Sequence, residues 1–86
     1  MEVIYSENAL QDLEYWKKSG NKAVQKKISK LIISILENPK TGIGKPEPLK
    51  YELSGSWSRR ITDEHRIVYS FNETRILIET MKGHYL

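Results

Sequence analysis

Residues 57–82, WSRRITDEHRIVYSFNETRILIETMK, decide the fold because they alternate apolar and polar side chains in three consecutive segments. The segments are residues 57–62, 65–71 and 75–82, and the short polar stretches between them are typical of turns. Alternation with a period of two indicates strands with one buried face. Strands joined by such short turns pair in the antiparallel direction, so this stretch predicts an antiparallel meander.

The alternation also predicts which side chains face the core. Apolar residues of one parity in the first two segments should face the rest of the protein: Trp57, Ile61, Ile67, Tyr69 and Phe71. Arg60 and Arg66 have the opposite parity. They are therefore expected to project from an uncovered face of the sheet, together with Ser58 and Ser70.

The residues before the meander predict one strand and two helices. Glu2–Tyr5 alternates as a short strand, and Ser6 is a suitable N-cap for a first helix that runs to about Lys18. In the second helix, apolar residues follow one helical face: Val24, Ile28, Leu31, Ile32, Ile35 and Leu36. Asn38 and Pro39 end it, because proline disfavours helical geometry in the residue before it.

These elements together predict an α+β fold. Leu49–Leu53 is interpreted as a further short strand, and the whole chain, residues 1–86, as a small single domain. The N-terminal strand and the two helices should pack on one face of a mainly antiparallel four- to five-stranded sheet.

The composition indicates a small basic protein without thiol chemistry. The chain has a formal net charge of +3 and no cysteine, which excludes a thiolate nucleophile and a sulfur-ligated zinc site. Six lysines and no acid lie between Lys17 and Lys30, either as a solvated helix face or as a surface for a polyanion. With no membrane-length apolar run and no signal-peptide pattern, we expect a cytoplasmic protein.

Several common kinds of catalytic site are not supported by the sequence. His65 and His84 lack the spacing of metal ligands, and no clustered acidic pair suggests two-metal phosphoryl transfer, so we expect neither a metal nor a cofactor. No nucleophile-elbow motif surrounds a serine. Residues 42–45, Gly-Ile-Gly-Lys, are too few for a phosphate-binding loop of the Walker type.

Metal-free cleavage of RNA requires only a few catalytic groups, which a chain of this size can supply. RNA supplies its own nucleophile, the 2′-OH, so the protein needs only a general base, a general acid and a cation near the phosphate. Glu47 is a candidate base because Pro46 and Pro48 restrict the backbone on both sides of it. Taken alone, however, Glu47 is equally an incidental residue of a stiff surface loop.

The other candidates are also ambiguous when taken singly. His84 and Tyr85 have the composition of a frayed C-terminal tail as well as that of a catalytic pair. Arg66 is a candidate for binding phosphate, but it is also placed to pair with Glu79 on the neighbouring predicted strand.

Consecutive motifs in one order remove much of this ambiguity. They are GKPEPLK at 44–50, LSG at 53–55, WSRRIT at 57–62, EHR at 64–66 and HY at 84–85. In these motifs, and over essentially its whole length, the sequence closely resembles the Txe/YoeB toxins. These toxins are part of the RelE-like superfamily of bacterial toxin–antitoxin modules. The chain departs from the family's pattern in one respect, because Leu86 follows the His-Tyr pair.

The resemblance implies a ribosome-dependent endoribonuclease that cleaves mRNA in the decoding site. By motif position, Glu47 would be the general base on the 2′-OH, His84 the general acid at the leaving 5′-oxygen, and Arg66 the cation that stabilises the phosphoryl charge. Supporting roles are implied for four further residues: phosphate binding by Lys50, Arg59 and Arg60, and substrate positioning by Tyr85.

The resemblance also implies partners. A cognate antitoxin would inhibit the toxin by wrapping it with a disordered C-terminal segment, and any contact with DNA would be made through that antitoxin. Family members can also form homodimers. The alternative prediction is a catalytically inactive module of the same fold that only binds RNA or an antitoxin. The joint presence of Glu47, Arg66 and His84 favours the active enzyme.

Overall fold

The computed structural model describes residues 1–83. Its regular elements follow the order strand, two helices, four strands: β1 (Glu2–Tyr5), α1 (Glu7–Ser19), α2 (Lys22–Glu37), β2 (Glu47–Pro48), β3 (Trp57–Arg60), β4 (Arg66–Phe71) and β5 (Arg75–Thr80). A short 3-10 helix, Tyr51–Leu53, lies between β2 and β3. Within residues 1–83, no helix is long and apolar enough to cross a membrane.

The five strands form one mixed sheet in the order β1-β5-β4-β3-β2. The pairs β2–β3, β3–β4 and β4–β5 are antiparallel, as the meander predicts. β1 pairs in parallel with β5, so the first strand lies beside the last one. The prediction of an α+β fold with a mainly antiparallel sheet is confirmed.

Side-chain caps set the bounds of both helices. The Ser6 hydroxyl accepts a hydrogen bond from the Ala9 N–H (3.0 Å) at the start of α1, and the Asn21 side chain accepts one from the Val24 N–H (3.1 Å) at the start of α2. α1 ends at Ser19, and the next residue, Gly20, caps it with a left-handed φ of 71°. Both helices therefore form where the sequence predicts them.

The core lies between the helices and one face of the sheet. α1 and α2 contribute Ala9, Trp16, Val24, Ile28, Leu31 and Ile35, and the sheet side contributes Ile61, Ile67, Tyr69, Ile76, Ile78 and Met81. All of them are buried, and those on β4 have the inward parity expected from the sequence. Burial of this apolar surface provides the main driving force that holds the helices on the sheet.

The segment after β2 differs from the prediction. Leu49–Leu53 is not a strand: the backbone of Leu49 still bonds to Ser56 (2.9 Å), but Tyr51 then adopts a left-handed φ of 58°. The Leu53 N–H donates to the Lys50 carbonyl (3.2 Å), which closes a 3-10 turn instead of extending the ladder. A left-handed residue cannot continue a strand, so β2 is limited to two residues.

The sequence predicts that the face of the sheet opposite the helices is uncovered, but part of this face is buried. Ser58 and Val68 lie on this face but are only 2% and 7% exposed. Arg60 is exposed, and Arg66 and Ser70 are half-buried. The register between β4 and β5 also shifts between Val68 and Tyr69, as expected for a β-bulge. The arginine-bearing end is thus the more open part of this face.

Candidate active site

Glu47 lies on the edge strand β2, where its Cα pairs with that of Ser58 on β3. Directly paired residues project from the same face of a sheet, so Glu47 shares a face with Ser58 and hence with Arg60, two residues further along β3. The residue is exposed. An exposed carboxylate on the open face of an edge strand is accessible to a polymeric substrate.

Arg60 and Arg66 are direct cross-strand partners on β3 and β4. Two like charges placed opposite each other destabilise a sheet, and an anion bound between them would relieve the repulsion. The Arg60 guanidinium lies 3.9 Å from the Asp63 carboxylate. The Arg66 guanidinium donates through Nη1 to the carbonyls of Thr62 (2.7 Å) and His65 (3.1 Å), which orients it across the turn.

The register also gives the separation between the carboxylate and the arginines. Val68 pairs with Ser58, so Arg66 lies two strands across and two residues along from Glu47. With the usual strand spacing and rise, the Cα atoms of Glu47 and Arg66 are about 12 Å apart. A glutamate and an arginine side chain can together span that separation, but in this structure the Arg66 guanidinium is hydrogen-bonded to carbonyls of the turn before β4. This part of the predicted site is therefore assembled on one surface.

The backbone on both sides of Glu47 is strained. Lys45 (φ 53°) and Tyr51 (φ 58°) are the non-glycine residues with left-handed φ in the described part of the chain. Such conformations are costly and concentrate at functional sites. Lys50, predicted to bind phosphate, lies between Glu47 and the second strained residue and is exposed. The strain supports a functional role for this edge on grounds that do not depend on charge.

Glu79, the alternative partner considered for Arg66, is engaged elsewhere. Its carboxylate accepts a hydrogen bond from the Ser56 hydroxyl (2.8 Å), and its backbone carbonyl accepts one from the Ser6 hydroxyl (2.7 Å). The acid thus ties the turn before β3 to β5.

Arg59 requires a correction to the predicted site. The resemblance implies that Arg59 binds phosphate together with Lys50 and Arg60, but Arg59 is completely buried, at 0% exposure. Arg59 has the same parity as Trp57 and therefore points towards the helices. A guanidinium with no accessible surface cannot contact RNA unless the interior opens. Arg59 is therefore removed from the substrate-binding set.

The interior position of Arg59 is possible because all five of its N–H donors find acceptors. Nε donates to the Tyr69 hydroxyl (3.1 Å), and Nη1 donates to the Ser34 hydroxyl (2.7 Å). The other three bonds reach backbone carbonyls of the loop after α2: Ile43 (3.2 Å), Asn38 (2.6 Å) and Thr41 (2.9 Å). Arg59 thus ties this loop to β3.

This tie matters for the site because the loop leads directly to Glu47. The Gly44 carbonyl accepts the Arg60 N–H (2.7 Å), which extends the attachment of the loop along β3. Gly42 passes so close to the interior that a Cβ there would lie 2.2 Å from the Ser34 hydroxyl oxygen. Only glycine fits at such a distance. The loop is therefore held against the protein immediately before the segment that carries Glu47.

Tyr69 completes this interior polar cluster. Its hydroxyl donates to the Pro39 carbonyl (2.6 Å) while it accepts from Arg59. Burial raises the pKa of the Tyr69 phenol above its usual 10.0, and the nearby Arg59 cation acts in the opposite direction. The phenol is therefore a neutral hydrogen-bonding group of the fold.

His84 and Tyr85, the remaining predicted site residues, lie outside the described residues. The described chain ends at Gly83, the residue before His84 in the sequence. The Gly83 carbonyl accepts the backbone N–H of Arg66 (3.0 Å), so the chain reaches the arginine-bearing end of the sheet. In residues 1–83, no three His, Asp or Glu side chains are grouped as metal ligands.

Comparison with known proteins identifies a family. A family model described as "YoeB-like toxin of bacterial type II toxin-antitoxin system" matches residues 5–85. The chain is 47% identical to Toxin YoeB of Escherichia coli K12 over 85 residues, which cover 99% of this chain and 100% of that protein. The sequence similarity therefore extends over both the fold and the candidate site.

Solved structures agree. A YoeB/ParE toxin from Agrobacterium tumefaciens superposes with a TM-score of 0.94 at 37% identity, covering 99% of this chain and 100% of that one. YoeB of Staphylococcus aureus, solved as a dimer, gives 0.90 at 42% identity, and its complex with YefM gives 0.88 at 43%. Both cover 99% of this chain and 98% of the S. aureus chain.

Proposed function

Because the chain belongs to the YoeB-like toxins of bacterial type II toxin–antitoxin systems, we propose that it is an endoribonuclease that cleaves mRNA in the ribosomal A site. The cut stops translation, and its chemistry needs no metal ion. It takes place on the open sheet face that carries Glu47, Arg60 and Arg66. Because its substrate is mRNA on the ribosome, the enzyme acts in the cytoplasm.

In the proposed reaction, the Glu47 carboxylate removes the proton from the 2′-OH, and the 2′-oxygen attacks the adjacent phosphorus. The bond from phosphorus to the 5′-oxygen breaks, and His84 supplies the proton that this oxygen takes up. The products are a 2′,3′-cyclic phosphate and a 5′-hydroxyl. Arg66 stabilises the charge that develops on the phosphoryl oxygens. Lys50 and Arg60 bind flanking phosphates, and Tyr85 positions the substrate.

The observation that carries the proposal is the direct pairing of Arg60 with Arg66 on the face that also presents Glu47. A sheet that places two cations opposite each other is suited to hold a phosphate between them. Binding a phosphate requires only cations, whereas cleaving RNA also requires a base, and the nearby Glu47 carboxylate supplies one. The backbone strain at Lys45 and Tyr51 adds support, because it brackets the segment that presents this base.

The family and the solved relatives also support a partner. The S. aureus relative has been solved with YefM and as a dimer, and the family model describes toxins of toxin–antitoxin systems. We therefore propose that a cognate antitoxin inhibits this protein by wrapping it with a C-terminal segment that is disordered when free. The toxin also forms homodimers, and it contacts DNA only through the antitoxin.

Single-turnover cleavage of mRNA on programmed ribosomes tests the enzyme. Glu47→Gln and His84→Gln should each reduce the rate roughly 10²- to 10⁴-fold, the usual contribution of a general base or acid. Glu52→Gln is the matched control for the base, because Glu52 is an exposed glutamate of the 3-10 helix that follows β2. It should cleave at the wild-type rate. The product ends should be a 2′,3′-cyclic phosphate and a 5′-hydroxyl.

Wild-type cleavage by the Glu47 variant would refute the assignment of the base. Absence of cleavage by the wild-type protein itself, with ribosome or antitoxin binding retained, would instead identify a catalytically inactive binding module.

A further inference from the structure

His65 makes a contact that the reaction above does not use. Its Nδ1 accepts a hydrogen bond from the Gly83 N–H at 2.9 Å. An acceptor must offer a lone pair, so Nδ1 carries no proton while this bond exists, and the proton of the neutral ring is on Nε2. His65 is therefore acting as a hydrogen-bond acceptor towards the residue that precedes His84.

The His65 ring is held in place from two directions. Its face-to-edge contact with Trp16 has a centroid distance of 4.9 Å and an interplanar angle of 86°. Its backbone N–H donates to the Thr62 hydroxyl (3.1 Å), and its carbonyl accepts the Ile61 N–H (2.9 Å). A ring fixed in this way presents Nδ1 in a constant direction.

The chain that approaches Gly83 is also held by hydrogen bonds. Met81 is fully buried; its N–H donates to an Asp12 carboxylate oxygen (2.9 Å), and its carbonyl accepts the Trp16 indole N–H (2.8 Å). At Gly83, the carbonyl accepts the Arg66 backbone N–H (3.0 Å). Together with the bond to His65, four hydrogen bonds fix Met81 and Gly83. We call this arrangement the C-terminal clasp.

We propose that His65 is a positioning residue of the active site: through the C-terminal clasp it holds the backbone of Gly83, the residue to which His84 is joined. The inference rests on the proposed function, because it assumes that His84 is the general acid. It also separates the two histidines of the chain: His65 holds the backbone, and His84 transfers the proton. Arg66 links the clasp to the turn before β4, since its backbone N–H donates to the Gly83 carbonyl and its guanidinium donates to the Thr62 and His65 carbonyls.

Two substitutions separate the acceptor atom from the ring. His65→Asn keeps an acceptor close to the position of Nδ1 but removes the ring. His65→Phe keeps a ring against Trp16 but removes the acceptor. If the clasp acts through the acceptor, His65→Phe should lower kcat about 10- to 100-fold, because a misplacement of about 1 Å can cost that much. KM should change little, and His65→Asn should stay within about threefold of wild type.

Hydrogen exchange at the Gly83 amide measures the clasp without using activity. Exchange should accelerate in His65→Phe and stay close to the wild-type rate in His65→Asn, with both proteins shown to be folded by circular dichroism. Equal Gly83 exchange rates in wild type and His65→Phe would overturn the proposal. An asparagine variant as slow in cleavage as the phenylalanine variant would overturn it as well.

A double-mutant cycle distinguishes positioning from general destabilisation. If His65 acts through His84, adding His65→Phe to His84→Gln should lower cleavage by less than about twofold, because there is no acid left to misplace. A loss as large as in the wild-type background would reject the proposed coupling. If the wild-type protein does not cleave mRNA, the proposed function fails, and if His84→Gln alone cleaves at the wild-type rate, the assignment of the general acid fails. If His84→Gln is inactive while His65→Phe is fully active, only the clasp fails.

Discussion

Replacing Arg59 with methionine should destabilise the protein by about 3 kcal/mol. The substitution removes five hydrogen bonds, and the free energy cost differs from one bond to another. Ser34 still accepts from the Ile43 N–H and Tyr69 still donates to the Pro39 carbonyl, so these two hydroxyls keep a partner. The three loop carbonyls lose theirs. At about 1 kcal/mol for each carbonyl near the surface, the total is about 3 kcal/mol.

That loss is large for a chain of this length, whose whole stability is expected to be roughly 4–13 kcal/mol. In equilibrium urea unfolding, the midpoint should fall by about 2 M at an unchanged slope. Arg59→Lys should lie between wild type and Arg59→Met, because an ammonium has three donors and cannot reproduce the guanidinium fork. Arg60→Met, on the same strand but exposed, is the control and should change stability by less than about 0.5 kcal/mol.

A midpoint for Arg59→Met within about 0.3 M of wild type would refute this reasoning. It would mean that water satisfies the loop carbonyls equally well. It would also mean that the hydrogen bonds of the interior guanidinium stabilise the protein by little more than the free energy that burying its charge costs.

The remaining predictions concern the same cluster. Gly42→Ala should destabilise the protein by at least about 2 kcal/mol, because its Cβ would lie 2.2 Å from Ser34 Oγ; Gly55→Ala, also at positive φ but with nothing within 4 Å, should cost only about 1 kcal/mol. Equal losses in thermal unfolding would contradict the clash. Burial raises the pKa of the Tyr69 phenol. The contribution of this phenol to the unfolding free energy is therefore complete below pH 10 and is lost as pH rises through the folded-state pKa. Tyr69→Phe should therefore make the unfolding free energy decline less steeply with pH above pH 10. If urea unfolding at a series of pH values gives the same decline for the variant and the wild type, the prediction is wrong.

The sequence predicts the elements of this fold well because local signals define them. The caps at Ser6 and the proline after Asn38 set helix ends, and alternation sets the meander. The parallel pairing of β1 with β5 has no local signal, since it joins strands from opposite ends of the chain. Leu49–Leu53 does not form a strand because Tyr51 has a left-handed φ, a conformation that a tyrosine in the sequence does not predict.

The placement of the candidate site residues in the fold was predictable where alternation along the strands signals it, and less so elsewhere. Arg60 and Arg66 lie on the open face as alternation requires. Arg59 could have been assigned to the interior from the same alternation, because it stands between Trp57 and Ile61, but the resemblance implied phosphate binding for it. His65 as an acceptor for Gly83 could not be predicted from spacing, since the contact depends on where β5 ends.

The parallel pairing of β1 with β5 has a consequence for how the protein is made. β5 is an interior strand, flanked by β1 and β4, and Ser6 bonds to Glu79, a separation of 73 residues. Such contacts give a high contact order and slow folding. A ribosome synthesises β1, α1 and α2 first, yet these elements have no sheet to cover until the last strand emerges. A nascent chain therefore stays incompletely folded until β5 has been synthesised.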